Sequence, residues 1–261
     1  MDHTYWQKQS TTAPLFPDIQ WAKPEQKSRS GRLAIIGGNK LGFIAVRDAY
    51  EVASSLGVGQ IRAILPDALR STIPSQFSDA IFVPSNPSGG FSREAKAEFM
   101  AACQWADICV LVGDSGKNSE TAVTIEALLA TDTRLVITRD AVDLLRPAAM
   151  RMVERAETTL VVSFAQLQKL FQAIYYPRVL SFSMPLMQLV EALHKFTITY
   201  PCTVVVFHQN QLIVAVGGQV STTEWDEPMM IWRGITATRA ASYMLWSPSK
   251  PFEAITTSLI T

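Results

Sequence analysis

The chain has 261 residues, 48% of them hydrophobic and 18% charged, a composition that can bury one sizeable core. Basic and acidic residues both number 23, so there is no basic field to gather nucleic acid or an anionic membrane surface. No apolar run reaches the roughly 18 residues of a membrane span, and the opening stretch MDHTYWQKQSTTAPLFP lacks the apolar centre of a secretory signal.

Residues 1–30 read as a Pro- and Gln-containing arm, either frayed or wrapped over the body, and residues 31–261 as a single domain. Short β-branched runs then recur at 33–38, 61–66, 80–84, 108–113, 134–139, 159–164, 203–207 and 211–216. Helical patterns lie between most of the first six, at 43–56, 92–104, 119–130 and 165–175. Continuous apolar runs of this length suit strands buried on both faces, and their alternation with helices predicts a mainly parallel α/β sheet of about eight strands. The last two runs flank the short polar turn HQN and predict an antiparallel hairpin at the sheet edge. Two helices, at about 234–246 and 251–260, close the chain.

Cys103, Cys109 and Cys202 sit inside apolar segments without CxxC spacing, which predicts buried thiols in a reducing cytoplasm. His3, His194 and His208 are scattered and form no metal constellation.

In open α/β sheets ligands bind beyond the carboxyl ends of the strands, so the residues after each strand are the candidates. After the first run comes GGNKLG, with Gly37, Gly38 and Asn39. Its glycines permit either a close approach to phosphate or a tight strand-to-helix turn. The pattern is not GxGxxG, which argues against a Rossmann dinucleotide site. GDSGKNSET, opening at Gly113, lacks the spacing of a Walker A loop and reads as a glycine turn before a helix capped by Asn118 or Ser119. In TRDAVDLL, Asp140 and Asp143 can position a metal-bound phosphate or a ribose, or Asp140 can cap the following helix.

In order and spacing these segments resemble the ADP/ATP-dependent NAD(P)H-hydrate dehydratases, a branch of the ribokinase-like superfamily. QKSRSGRLAIIGG (26–38) is similar to that family's HKGxxGRvlviGG, and GDSGK falls where it has GPGLG. LVITRDAVDLL is similar to VVLDADALNLL and keeps Asp140, with Asp143 at the Asn. LVVSFAQLQKLF (160–171) lines up with LTPHPGEFARLF, and the closing PFEAITTSLIT with the family's PFEAA helix. The resemblance implies a ribokinase-like fold, ATP or ADP with Mg as cofactor, and a homo-oligomer.

The departures fall where chemistry is done. The family's HPGE becomes Ser163, Phe164, Ala165 and Gln166, and its LKG becomes Val206, Phe207 and His208. The Tyr and the later Gly of its GGSxxYxGA become Gly42 and Ile44. Its NPGMATGGTGD falls on EPMMIWRGITA, which keeps Gly234 but puts Ala237 where the resemblance implies the catalytic acid. Alanine cannot carry a proton, and general acid–base help is worth about 10²–10⁴-fold. The sequence therefore reads as a scaffold without its chemistry, a binding or assembly partner, even of an active relative. The alternative is a working dehydratase or small-molecule kinase with a relocated acid, Asp226 or Asp140.

Overall fold

The computed structural model describes residues 4–73 and 79–260; His3 lies outside them. In chain order the strands are β1 (Trp6–Gln9), β2 (Arg32–Gly37), β3 (Gln60–Pro66), β4 (Ala80–Val83), β5 (Ile108–Gly113), β6 (Arg134–Thr138), β7 (Thr158–Ser163), β8 (Thr203–His208), β9 (Gln211–Val216) and β10 (Gln219–Glu224). They form one sheet in the order β1-β10-β9-β8-β7-β6-β5-β2-β3-β4. All neighbours run parallel except β9, which is antiparallel to both β8 and β10.

The helices are α1 (Ile44–Leu56), α2 (Lys96–Trp105), α3 (Ser119–Glu126), α4 (Asp140–Leu144), α5 (Ala149–Glu154), α6 (Phe164–Ala173), α7 (Leu186–Thr199), α8 (Met229–Trp232), α9 (Ile235–Trp246) and α10 (Pro251–Ser258). They cover both faces of the sheet. Ala34, Ile36, Cys109, Leu111, Leu160 and Val162 point to the face packed by α2, α5, α6 and α7. Their chain neighbours Leu33, Ile35, Val110, Val112 and Val161 point to the face packed by α1, α9 and α10. These central strands are thus apolar on both sides, which is why the runs are continuous rather than alternating. Ala237, Ala240 and Ala241, all 0% exposed, give α9 a smooth face against that second layer.

The sheet has ten strands rather than about eight, and the β8–β9 hairpin is not its edge. Gln209 and Asn210, at φ 47° and 57°, make the two-residue turn of that hairpin. β10 then adds itself outside β9, and the N-terminal arm contributes β1 as the outermost strand, Trp6 opposite Val220. Gln9, buried, fixes this strap: its Nε2 donates to the Thr256 carbonyl at 2.6 Å and Thr223 Oγ1 at 3.2 Å, and its Oε1 accepts the Leu15 N–H. Both strands escape an apolar-run criterion because QVSTTE and WQKQ are mostly polar. The residues between β7 and β8 hold a helix, α7, that the sequence reading left without an element. No helix among the described residues is long and apolar enough to cross a membrane. The three cysteines are free and buried, and burial pushes the Cys202 thiol up to about 12.

Candidate functional site

The carboxyl ends of β2, β5, β6 and β7 converge with the α8–α9 junction around a cleft of about 400 Å³. Asn39, Asp114, Arg139, Asp140, Gln166 and Trp232 form most of its wall. All but Trp232, the last residue of α8, come from the first three residues after a strand, the positions from which side chains reach past the sheet edge.

The loops after β2 and β5 are locked backbone to backbone. Gly38, at φ 89°, donates its N–H to the Gly113 carbonyl at 2.8 Å. A methyl group on Gly37 would run into that same carbonyl oxygen. Asn39 closes the following turn by pairing its backbone with Gly42 in both directions, and its side-chain amide donates to the Asp114 carbonyl. Asn118 caps α3, accepting the N–H groups of Glu120 and Thr121.

Asp140 does not cap α4. Its two carboxylate oxygens accept the N–H groups of Asp114, at 2.8 Å, and Ser115, at 3.0 Å, so it braces the loop after β5 from the end of β6. Burial raises the Asp140 carboxyl above its ordinary value, the two N–H donors working against that rise. Asp114, itself at φ 56°, accepts the Ala45 N–H with Oδ2 at 2.9 Å and pairs through Oδ1 with the Arg139 guanidinium. Asp143 accepts from Gln166 Nε2 at 2.9 Å and lies 3.7 Å from Lys169 Nζ. Gln166 also donates to the Arg139 carbonyl at 2.7 Å while forming the capping box of α6 with Ser163.

Arg139 is the hub. It holds φ 56° and ψ −141°, a region costly for a side-chain-bearing residue. From there its guanidinium ties Asp114 to the Trp232 carbonyl, which accepts from Nη1 at 2.5 Å. Its Nε is buried without a hydrogen-bond partner. Gly234, in the left-handed region at φ 78°, turns the chain into α9, and Arg139 Cδ passes 3.8 Å from the place a Gly234 side chain would start. The unpaired Nε therefore belongs to a guanidinium beside the N-terminus of α9. There the first-turn N–H groups have no intrahelical carbonyl and carry the positive end of the helix dipole.

The structure thus brings Gly37, Gly38, Asn39, Gly113, Asp140, Asp143 and Gly234 to one end of the sheet. Ala237 lies within the first turn of α9 with no exposed surface. Asp226 stands between β10 and α8 and is not among the residues lining the cleft. Arg139 and Asp114 were not singled out from the sequence. The available signal was a charged residue directly after each of β5 and β6, overlooked beside the glycines and Asp140.

No protein-family model matches the chain, and no curated protein matches it. Solved structures do. A ribokinase-like superfamily protein of Enterococcus faecalis V583 superposes with a TM-score of 0.73 at 15% identity, covering 100% of this chain and 87% of that one. The fold is ribokinase-like. The ADP/ATP-dependent NAD(P)H-hydrate dehydratase of Bacillus subtilis, co-crystallised with ATP and Mg²⁺ and soaked with CoA, gives 0.63 at 13% identity over 95% of this chain and 86% of that one. Phosphomethylpyrimidine kinase of Clostridium difficile 630 gives 0.53 at 10% identity over 88% and 98%. At these identities the likeness is one of ribokinase-like architecture, and function rests on the residues of the site.

Proposed function

We propose that this ribokinase-like chain binds a phosphate-bearing small molecule, ATP or ADP, without transforming it, and works as a homo-oligomeric binding or assembly protein of the cytoplasm. One observation carries the non-catalytic part: every carboxylate lining the cleft is already engaged by groups of the chain itself. Asp140 holds two backbone N–H groups, Asp114 holds Ala45 and Arg139, and Asp143 holds Gln166 and faces Lys169. The α9 position where the resemblance puts an acid is a fully buried alanine.

The binding part rests on the unpaired Arg139 Nε, the side-chain-free Gly234 and the first turn of α9, which no side chain caps, a donor set suited to a phosphate oxygen. Among the described residues no group of three or more His, Cys, Asp or Glu is placed to hold a metal ion. Magnesium would therefore depend on the nucleotide's own oxygens for most of its ligands. An assembly role leaves open an active relative as partner.

A second reading has one observation in its favour. Asp140 lines the cleft and its carboxyl is raised by burial, as a general acid requires. On that reading the chain is a working ATP/ADP-dependent NAD(P)H-hydrate dehydratase or a small-molecule kinase. The test is recovery of reduced-nicotinamide absorbance from hydrated NADH and NADPH, with ATP or ADP and magnesium, beside calorimetric titration of the same nucleotides. Nucleotide binding without turnover supports the first reading. Turnover that vanishes in Asp140→Asn, with the variant still folded, replaces it with the second.

A further inference from the structure

Trp232 walls a second hollow next to the cleft, of about 250 Å³, at the carboxyl ends of β7 and β8. Its other apolar walls are Phe164, Phe182, Phe207 and Ile231. Two of these aromatic side chains stay largely in water, Phe182 at 64% exposure and Trp232 at 52%. Phe164, in contrast, is buried and fixed: its ring stacks on His208 at 4.3 Å between centroids and tilts against Phe182 at 5.0 Å. The aromatic wall is therefore part buried floor and part solvent-exposed rim. On the resemblance Phe164 stands at the Pro of HPGE and Phe207 at the Lys of LKG, so the ring at 207 replaces a charge.

The polar groups at the rim are turned inward. His208 Nε2 lies 3.1 Å from the Met184 carbonyl, which also accepts from Gln209 Nε2 at 3.3 Å. Ser163 Oγ caps α6 by accepting the Gln166 N–H. Among the described residues no Asp, Glu, Lys or Arg lines the hollow. A quaternary ammonium would meet aromatic rings but no carboxylate, and a nucleobase would leave its hydrogen-bonding edge without the side-chain amide and imidazole nitrogens already engaged. Apolar, ring-lined space of this kind favours a flat apolar guest. An apolar cavity of about 150 Å³ accepts benzene, so this one has room for two fused rings.

We propose that the hollow is a binding site for an apolar planar aromatic group of one or two rings, in preference to a nucleobase. It goes beyond the phosphate reading: the two sites share Trp232 but use different chemistry, so either can fail alone. The test is calorimetric titration of the full chain with indole, tetramethylammonium, adenosine and, separately, ATP. Phe182→Ala and Trp232→Ala are the variants, since both side chains are exposed enough for the fold to survive their loss; a thermal melt checks this. Saturable one-to-one binding of indole, at least about tenfold tighter than adenosine or tetramethylammonium and weakened about tenfold in both variants, is the expected result. ATP binding should be unchanged in Phe182→Ala. Absent indole binding overturns the proposal, as does indole affinity untouched by both variants. Tetramethylammonium or adenosine binding as tightly as indole also overturns it. ATP binding with no indole binding sinks this inference and leaves the phosphate reading standing.

Discussion

Replacing Asp140 by alanine removes the side-chain acceptor that holds the Asp114 and Ser115 N–H groups. Orphaning a buried donor costs about 1–3 kcal/mol each, and loss of the desolvated carboxylate returns part of that, for a net destabilisation of about 2–4 kcal/mol. At about 2–4 °C per kcal/mol for a chain of this size, the melt should fall by about 4–16 °C. The pH dependence has a definite sign. Burial lifts the folded carboxyl above its ordinary value of 3.8, so the native state binds more protons than the unfolded one across the interval between them. The stability Asp140 contributes is then fully present below the unfolded value and declines as pH rises through the folded value. Urea unfolding followed by tryptophan fluorescence, for both proteins across about pH 4 to pH 7, reads this directly. A difference below about 1 kcal/mol refutes the bracing role. A gap that widens with rising pH refutes the assigned direction of the shift.

Four further outcomes are expected. Gly113→Ala should unfold more easily by about 2 kcal/mol or more, because the residue has φ 81° and the added methyl runs into Asp140 Oδ1; chemical denaturation measures it. Arg139→Gly should lose ATP affinity in calorimetry yet be more stable than Arg139→Ala, since glycine relieves backbone strain of about 1–3 kcal/mol at φ 56°. Gln9→Ala, which deletes three hydrogen bonds of the N-terminal strap, should cost about 2–3 kcal/mol in the same unfolding assay. Tyr50 donates to Asp79 Oδ2 at 2.6 Å, and that bond, with burial, pushes its phenol up to about 12. Ultraviolet titration of Asp79→Asn should bring one tyrosine back toward its ordinary value of 10.0, and in the wild type Tyr50's stabilising contribution should decline as pH rises from 10.0 through about 12.

How much was legible follows from what each residue packs against. Strands β2, β3 and β5 to β9 are largely buried on both faces, and the half-buried edge strand β4 is apolar throughout, so their apolar runs stand out in the sequence whatever their partners. The outermost pair is different. WQKQ and QVSTTE join the sheet through backbone hydrogen bonds and through side chains such as Gln9, and neither leaves a hydrophobic period to read. In the site, Gly37, Gly113, Asp140 and Gly234 were visible because turns and strand ends restrict residue choice. Their roles were not visible. Asp140 has the composition of a helix cap, and only the proximity of two loops separated by 25 residues turns it into a brace for Ser115. Arg139 and Asp114 meet for the same reason, across parallel neighbours whose register no local pattern encodes.

The N-terminal strap has a consequence for how the protein comes to exist. Gln9 meets Thr223 across 214 residues of chain. At about 5–20 residues per second, a ribosome needs about 10–40 s to supply the partner after the first strand has emerged. During that interval Trp6–Gln9 has no edge to join, and the growing sheet cannot be finished from its first residues. Strand β1 can therefore dock only after its partner β10 has been made. The polar composition of that strand suits the wait: a segment with few apolar side chains can stay in water without seeking a wrong partner.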